Sequence, residues 1–396
     1  MTDLPLSNEV EHEDIITVRL IHDSIREEAQ RITRRFSKLR TLLDSTRKEL
    51  ESRSIERKVP YLSRVPKNYP KDFCVLALDT SFTSPPIELT GGRLGVIFRV
   101  AAQFGSCKSR VVDHSALVKF VDEGEHVISL ISKIIERRYV LSVLERAIKG
   151  YADFDIIIMD GELLPRIPPG AIIGKVRSAS PLATRLYSEL VELTNKIMEL
   201  ADKAGITIVG TLKRVYGKDI QVMLDNPQLD ITDKALASYI LTNGEYINLG
   251  TYIDIVNAYE KFIKLHEEFK SRLGQRFRWL KNIVSHLPMS SAINVLIYKS
   301  SSKTYFSIPT KIELQISNEY TMEDIVGYLA SITSLNGVPF PIDVVDRLSR
   351  VRREVLFLAQ QNLYALLTKM LGDSRLALSI IGLTNPEKMK VIGFKT

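Results

Sequence analysis

The chain has 396 residues, of which 45% are hydrophobic and 26% are charged, so it can bury a substantial core. Its formal net charge of +7 is compatible with a nucleic-acid partner but does not by itself indicate one. The two cysteines are far apart in the sequence, and no histidines form an HxxH or HxxxH pair, which excludes a zinc site of these residues. We expect Cys74, which lies in an apolar run, to be a small core residue.

The first fourteen residues are acidic and polar in character, so we expect no secretory signal there. No apolar run approaches the length that a membrane-spanning helix requires. We therefore expect a soluble protein of the cytoplasm that has no membrane partner.

Residues 11–58 are predicted to be helical, as one long helix or as a hairpin of two. Apolar residues recur at three- and four-residue steps through Ile32, Phe36, Leu39 and Leu43. Many arginines and lysines lie between them, and these are typical either of a solvated helix face or of an arm that contacts DNA phosphates or a partner subunit. With the proline-rich linker that follows, this segment forms a predicted N-terminal helical arm and linker, residues 1–70.

Apolar runs and amphipathic segments then alternate in an α/β order. Phe73–Leu78 is an uninterrupted apolar run, as expected of a strand that is buried on both faces. Two further strands precede the first helix, and two helix–strand units follow. This order is that of RNase H-like folds, so we predict an α/β domain at residues 71–371, a mixed sheet flanked by helices. The predicted elements are strands 94–104 and 110–121, helix 127–149, strand 154–159, helix 182–203 and strand 206–212.

The remainder of the chain is predicted to extend this domain with further helices. Residues 293–307 are typical of a hairpin, and residues 349–371 of a helix that forms a C-terminal helical extension. Residues 372–396 are assigned to a tail. Gly91 and Gly92 lack the GxxxxGK[ST] context of a phosphate-binding loop and are interpreted as a hairpin turn.

Two carboxylates follow buried strands directly. Asp79 ends the run Phe73–Leu78, and Asp160 ends the run Ile156–Met159. Ligands bind at the carboxyl ends of neighbouring strands in an open α/β sheet, and two buried carboxylates repel each other unless a cation lies between them. Two Mg²⁺ or Mn²⁺ ions about 4 Å apart would suit phosphodiester cleavage. The alternative is that each aspartate merely caps a turn.

Several short motifs follow one another at characteristic spacings. They are Val75–Ser81, Gly91–Ile97, Asp155–Leu163, Gly210–Arg214, Thr232–Leu236 and Gly337–Pro341. In the order and spacing of these motifs the sequence resembles the NurA family of archaeal and bacterial repair nucleases, from about Phe73 to Val355.

This resemblance implies a metal-binding glutamate on the helix before Asp160. Glu145 precedes that aspartate by 15 residues (160 − 145) and is the preferred candidate, with Glu136 as the alternative. The family also has two tyrosines and a histidine near the end of the domain. Those positions correspond here to Val338, Phe340 and Asp346. The expected metal ligands are therefore Asp79, Glu145, Asp160 and Asp346.

Basic residues near these motifs are candidates for binding DNA. Lys213 and Arg214 follow a strand, where they would hold a scissile phosphate or simply extend into solvent. Arg276 and Arg278 lie among aromatic residues, including Trp279, which is either a stacking surface or part of the core. Arg347 begins a run of arginines that is consistent with a groove for the DNA backbone.

Three hypotheses of function follow. The first is a two-metal deoxyribonuclease that uses Mn²⁺ or Mg²⁺, in which Asp79, Glu145, Asp160 and Lys213 are catalytic. The resemblance implies 5′-to-3′ exonuclease and single-strand endonuclease activity, a homodimer, and a hexameric HerA-type translocase partner in end resection at DNA double-strand breaks. The second is a NurA-like subunit that has lost catalysis and binds DNA or the translocase. The third, an actin-like or sugar-kinase-like ATPase, is opposed by the absence of a Gly-rich phosphate hairpin after Asp79.

Overall fold

The structure is a computed structural model that describes residues 7–108, 111–165, 180–213, 217–302 and 307–382. Ten strands of these residues form one sheet, and helices cover it. The strands are β1 Tyr61–Arg64, β2 Cys74–Phe82, β3 Ile87–Leu89, β4 Gly92–Gly105, β5 Val112–Val121, β6 Ile156–Asp160, β7 Thr207–Leu212, β8 Glu245–Thr251, β9 Ile293–Tyr298 and β10 Thr310–Gln315. The helices are α1 Ser7–Glu56, α2 Glu125–Ile148, α3 Pro181–Ala204, α4 Asp219–Met223, α5 Asp233–Ile240, α6 Tyr252–Leu265, α7 Lys270–His286, α8 Met322–Ser331, α9 Phe340–Ser349, α10 Arg353–Leu371 and α11 Ser374–Ile381.

The strand order is β1-β8-β9-β10-β7-β6-β2-β4-β3, and β5 pairs with the free side of β4. Strands β2, β4 and β5 are antiparallel, whereas β6 and β7 continue the sheet from β2 in parallel. The resulting order β5-β4-β2-β6-β7 is that of an RNase H-like core. The predicted fold class, a mixed sheet flanked by helices, is therefore confirmed.

Alternate residues of the central strands face two separate layers of apolar core. Leu76 and Leu78 of β2 pack on the side of α2, together with Ile128 and Leu144. Val75 and Ala77 pack on the opposite side, in the cluster that contains residues of α8 and α9. Burial on both faces explains why β2 is an uninterrupted apolar run in the sequence.

The register of β2 and β6 brings the two predicted carboxylates side by side. Leu78 of β2 is opposite Met159 of β6, and the two strands are parallel. Asp79 and Asp160 each follow this pair directly, so they lie on adjacent strands at the same level. The motif at the end of β6 is completed by Gly161, which has a φ of 112° in the region that favours glycine.

The N-terminal segment is one helix, not a hairpin. α1 runs without interruption from Ser7 to Glu56, and its last turns bury Leu43 and Leu50 against the domain. Farther from the domain, Ile25 and Ile32 remain 61% and 45% exposed. The predicted linker also contributes to the sheet, because β1 pairs with β8.

Three other expectations change in the structure. Cys74 is not a free core thiol, since it forms a disulfide with Cys107, which follows the end of β4. The predicted hairpin is formed by β9 and β10, and the second strand starts later than expected, at Thr310. The predicted tail contains α11, whose Ile381 packs against Leu94 of β4. Within the described residues, no helix is both long and apolar enough to cross a membrane.

Candidate metal centre

Three aspartates from different elements converge at the carboxyl end of β6, beside the second half of β2. Asp79 of β2, Asp160 of β6 and Asp346 of α9 each offer one carboxylate oxygen, and these oxygens all lie within 4.8 Å of one another. Asp346 reaches the sheet because α9 packs across β2 and β6, with Val345 buried beneath it. The sequence predicted all three of these aspartates.

Burial and neighbouring negative charges raise the pKa of two of these carboxyl groups, Asp79 and Asp160. Burial raises the pKa of Asp160 to about 6, and the neighbouring charge of Asp79 contributes in the same direction. Burial also raises the pKa of Asp79, although a hydrogen bond from Ser349 opposes that shift. A divalent cation would favour the ionised form of both groups.

Asp346 differs because two cations accompany it. Its Oδ2 lies 3.0 Å from Nη2 of Arg350, and its Oδ1 lies 3.2 Å from Nζ of Lys213. Although burial acts to raise its pKa, these contacts lower the pKa of Asp346 below the usual value. Asp346 is therefore the readily ionised member of the three.

Lys213 forms ion pairs with two of the three aspartates, Asp160 and Asp346. Its Nζ lies 2.7 Å from Oδ2 of Asp160 as well as 3.2 Å from Asp346. The lysine follows β7, the strand that pairs with β6. Arg214, the other basic residue of this motif, lies outside the described residues, and its predicted DNA contact stays a prediction.

Glu136, not Glu145, lies beside the aspartates. Glu136 of α2 is fully buried, and its charge contributes to the raised pKa of Asp79. Burial raises the pKa of Glu136, Lys133 and Arg137 oppose that shift, and Asp160 adds a smaller effect that raises it. Glu145 is exposed. The two are nine residues apart (145 − 136), which places them on opposite sides of the helix and roughly 13 Å apart along its axis. The preference for Glu145 is therefore corrected in favour of Glu136.

A signal for Glu136 was present in the sequence. It occupies a row of buried residues at four-residue steps, formed by Ile128, Ser132, Glu136, Val140 and Leu144. A glutamate on the buried stripe of a helix requires a partner, whereas Glu145 lies off this row. Spacing to Asp160 alone did not separate the two candidates.

The donor set fits a hard divalent cation. Oε2 of Glu136 is buried and makes no hydrogen bond in the structure. Buried carboxylate oxygens almost always have a partner, so this atom points to a ligand beside the three aspartates. A centre made only of carboxylate oxygens suits Mg²⁺ or Mn²⁺.

Two interactions that the sequence analysis missed hold the loop after Asp160. Glu313 of β10 is buried, and its carboxylate accepts hydrogen bonds from the backbone N–H groups of Leu163 and Leu164. Arg137 of α2 donates to the carbonyl oxygens of Glu162 and Leu163, at 2.6 Å and 3.2 Å. The loop is thus held by two buried side chains, both of which lie on the α2 side of the sheet.

Ser349, at the end of α9, positions Asp79. The serine is fully buried, its hydroxyl donates to Oδ2 of Asp79, and its carbonyl oxygen accepts from the hydroxyl of Ser81. An ordinary serine gave no signal in the sequence. Its role depends on the packing of α9 over β2, which sequence periodicity does not reveal.

Two positions that are tyrosines in the NurA pattern carry no hydroxyl here. Val338 is buried, and Phe340 is 51% exposed with its ring edge towards Phe104, at 6.2 Å between centroids. Neither side chain can donate a hydrogen bond or bind a metal.

The basic residues of α7 are not a DNA surface around Arg276. Nε and Nη2 of Arg276 donate to the two carboxylate oxygens of Asp219, at 2.8 Å and 2.6 Å. Asp219 also forms an ion pair with Lys311, and both side chains are buried. The DNA-binding prediction for Arg276 is therefore wrong, because its guanidinium is committed to this internal network.

The other basic candidates remain accessible. Arg278 and Arg347 are exposed, and Arg347 directly follows Asp346 on α9. Trp279 is half-buried, packs against the main core and donates from Nε1 to the carbonyl oxygen of Pro165 at 3.4 Å. Of the two interpretations of Trp279, these contacts favour a part of the core.

The NurA domain family matches residues 50–351, which is most of the chain. The chain belongs to the NurA family. The fold is similar to that of the NurA nuclease from Sulfolobus solfataricus, with 13% identity, a TM-score of 0.55, and coverage of 88% of this chain and 98% of that one. Two further NurA structures, one of which contains manganese, match with 13% identity and TM-scores of 0.48 and 0.45. They cover 88% and 86% of this chain and 99% and 98% of theirs. A comparison with curated proteins finds no significant match.

Proposed function

We propose that this NurA-family chain is a metal-dependent DNA nuclease that hydrolyses phosphodiester bonds. The observation that carries the proposal is the three-aspartate cluster, whose carboxylate oxygens lie within 4.8 Å of one another. Nearby, the buried Oε2 of Glu136 has no hydrogen-bond partner. Carboxylate clusters at the end of an RNase H-like sheet suit a hard cation and a phosphodiester substrate.

Asp79, Glu136 and Asp160 would hold Mn²⁺ or Mg²⁺, and Asp346 completes the ligand set. A divalent ion held there would supply positive charge that stabilises the negative charge of the reacting phosphate. We retain the proposal of two such ions, by analogy with other carboxylate centres that cleave phosphodiesters. Ser349 orients Asp79 through the hydrogen bond that it donates.

Lys213 would exchange partners when the centre is filled. Without a cation its ammonium group neutralises Asp160 and Asp346, at 2.7 Å and 3.2 Å. Once a metal ion neutralises these carboxylates, the flexible lysine can turn towards the scissile phosphate. Arg347 is exposed next to Asp346 and would contact the DNA backbone.

The family further suggests a specific cellular role. We infer 5′-to-3′ exonuclease and single-strand endonuclease activity, a homodimer, and a HerA-type hexameric translocase as partner in double-strand break end resection in the cytoplasm. The long helix α1 favours a partner-binding role for the arm, because Ile21, Ile25, Ile32 and Phe36 are between 43% and 61% exposed.

One set of observations favours a second candidate, a NurA-like subunit without catalysis. The hydroxyl groups expected at Val338 and Phe340 are missing, and Arg350 and Lys213 already neutralise Asp346. Such a subunit would bind DNA or the translocase and would not cleave.

A cleavage assay with labelled single- and double-stranded DNA separates the two candidates. The purified protein, its Asp160→Ala variant and the matched surface variant Asp202→Ala are incubated with Mn²⁺, Mg²⁺ or EDTA. We expect metal-dependent degradation that only Asp160→Ala abolishes. Intact DNA in every reaction, with and without a HerA-type translocase, would reject the enzyme and favour the binding subunit.

A further inference from the structure

We propose that Phe98 and His114 form a stacking platform for an unpaired base of the strand that enters the metal centre. This inference rests on the proposed nuclease function and names its substrate as single-stranded nucleic acid. The two rings lie on β4 and β5, with 5.8 Å between centroids and 19° between their planes. Phe98 is half-buried and His114 is exposed, so one aromatic face is available to a ligand.

Register connects the platform to the metal centre. Asp79 of β2 is opposite Val100 of β4, and Val100 is opposite His114 of β5. Directly paired residues point to the same face of a sheet, so Asp79 and His114 lie on one face. They are two strand spacings apart, about 10 Å. That separation is within the reach of one nucleotide unit, from a phosphate at the carboxylates to a base on the rings.

The surface around the platform is open and apolar. β5 is an edge strand, and on this face Val112 and Val118 are 51% and 46% exposed. A groove with a volume of about 640 Å³ continues from Val112 between the hairpin and α9. Its lining is largely apolar, and its residues include Phe104, Phe340 and Leu348, with Lys71 as a basic residue at one end.

Cations lie at the C-terminal end of α9. Arg347 and Arg350 of the α9 end are exposed, beside the aspartate cluster. Aromatic and apolar surface beside positive charge is the pattern by which proteins bind single strands, where the bases stack and the cations contact the phosphates. The bases of an intact duplex are already stacked on each other, so the platform favours an unpaired strand.

The exposure of His114 makes the proposal testable without unfolding the protein. An exposed residue on an edge strand contributes little to the core, so substitution there is tolerated. Leu117 is a matched control, because it lies on the same strand, is 40% exposed, and points to the opposite face.

Binding is measured by fluorescence anisotropy in EDTA, where the proposed nuclease is inactive. The probes are a labelled oligothymidine and a strand of the same length with abasic sites, and the proteins are wild type, His114→Ala, His114→Phe and Leu117→Ala. We expect His114→Ala to weaken binding of oligothymidine about 5- to 100-fold, while His114→Phe and Leu117→Ala stay close to wild type. The abasic strand should bind weakly and equally to all four proteins.

The platform would be overturned if wild type and His114→Ala bound oligothymidine equally. It would also be overturned if His114→Ala lost as much affinity for the abasic strand as for oligothymidine. Selective capture of an apolar peptide by the groove, with no effect of bases on DNA affinity, would assign this surface to a protein partner instead. Metal-dependent cleavage that persists after such a result would leave the nuclease intact and reject the platform alone. Base-dependent binding without any cleavage would support the platform and reject the enzyme.

Discussion

Nζ of Lys213 lies 2.7 Å from Oδ2 of Asp160, so an ammonium group occupies the side of the cluster where a metal ion would add positive charge. Lys213 and a divalent cation therefore compete for the same carboxylate. We therefore expect Lys213 to weaken metal binding and, in the proposed reaction, to assist at the phosphate.

Replacing Lys213 separates these two effects. In Lys213→Met we expect Mn²⁺ to bind about tenfold more tightly, because a competing charge is lost, an effect of about 1.4 kcal/mol. DNA cleavage should fall at least tenfold, because the phosphate loses its contact. Calorimetric titration with Mn²⁺ measures the first effect, and Lys196→Met, an exposed lysine of α3, is the control. Weaker Mn²⁺ binding in Lys213→Met would contradict the competition.

Glu136 and Glu145 form a matched pair on one helix. We expect Glu136→Gln to lower the affinity for Mn²⁺ at least tenfold and to lower cleavage with it, since its unpartnered Oε2 would serve as a fourth ligand oxygen. Glu145→Gln should match wild type in both measurements, because Glu145 is exposed on the other side of α2. The opposite pattern would restore the assignment that the spacing of the sequence favoured.

Most of the fold was predictable from the sequence, but the completed centre was not. Asp79 and Asp160 could be found because each directly follows an apolar run, a local signal, although β2 continues beyond Asp79 to Phe82. Counting along the NurA motifs also identified Asp346 correctly as part of the cluster. Ser349 and Glu313 became visible only in the structure, because their contacts join segments far apart in sequence. Arg276 was misassigned for the same reason, since the acidic partner Asp219 comes 57 residues earlier.

The raised pKa of Asp160 predicts a stability effect of pH in the absence of metal. The pKa of Asp160 is about 6 in the folded protein, whereas an aspartate of the unfolded chain has a pKa of about 4. Between these pH values the folded protein therefore binds more protons than the unfolded chain. The free energy of unfolding therefore decreases as the pH rises through this window. Asp160→Asn cannot ionise, so in EDTA its melting temperature should exceed that of wild type at pH 8, and the gain should disappear near pH 4.

Scanning calorimetry in EDTA from pH 4 to pH 8 measures this difference, with Asp202→Asn of α3 as a surface control. Added Mn²⁺ should reverse the order at pH 8, since the wild type alone keeps the full ligand set and is stabilised by the ion that it binds. A melting temperature of Asp160→Asn that stays below wild type at pH 8 in EDTA would contradict the raised pKa.

Glu313 should act on the metal centre through the loop that follows Asp160. Glu313→Gln replaces one carboxylate oxygen with an NH₂ group, which then faces either the backbone N–H donors of the loop or the hydroxyl of Tyr252. Because an accepted hydrogen bond is lost, we expect the free energy of unfolding to decrease by about 1–3 kcal/mol. The affinity for Mn²⁺ should also fall, because Asp160 is less firmly placed. Urea unfolding and Mn²⁺ titration check the two effects, and the exposed Glu319→Gln should change neither. A loss of stability with unchanged Mn²⁺ affinity would make Glu313 merely structural.

Arg276 should matter for folding and not for DNA. Arg276→Ala leaves the buried Asp219 with Lys311 as a remaining cation, and we expect a destabilisation of about 3–5 kcal/mol in urea unfolding. The exposed Arg278→Ala should unfold like wild type. If the folded Arg276→Ala protein bound DNA more weakly than Arg278→Ala at equal stability, the structural assignment of Arg276 would be incorrect.

The most direct test of the metal centre is anomalous X-ray diffraction from crystals of the protein soaked in Mn²⁺. The structure predicts manganese density bounded by the carboxylates of Asp79, Glu136 and Asp160, with the Lys213 ammonium moved away from Asp160. No anomalous peak within reach of these carboxylates at saturating Mn²⁺, or a peak only elsewhere on the protein, would contradict the proposed centre.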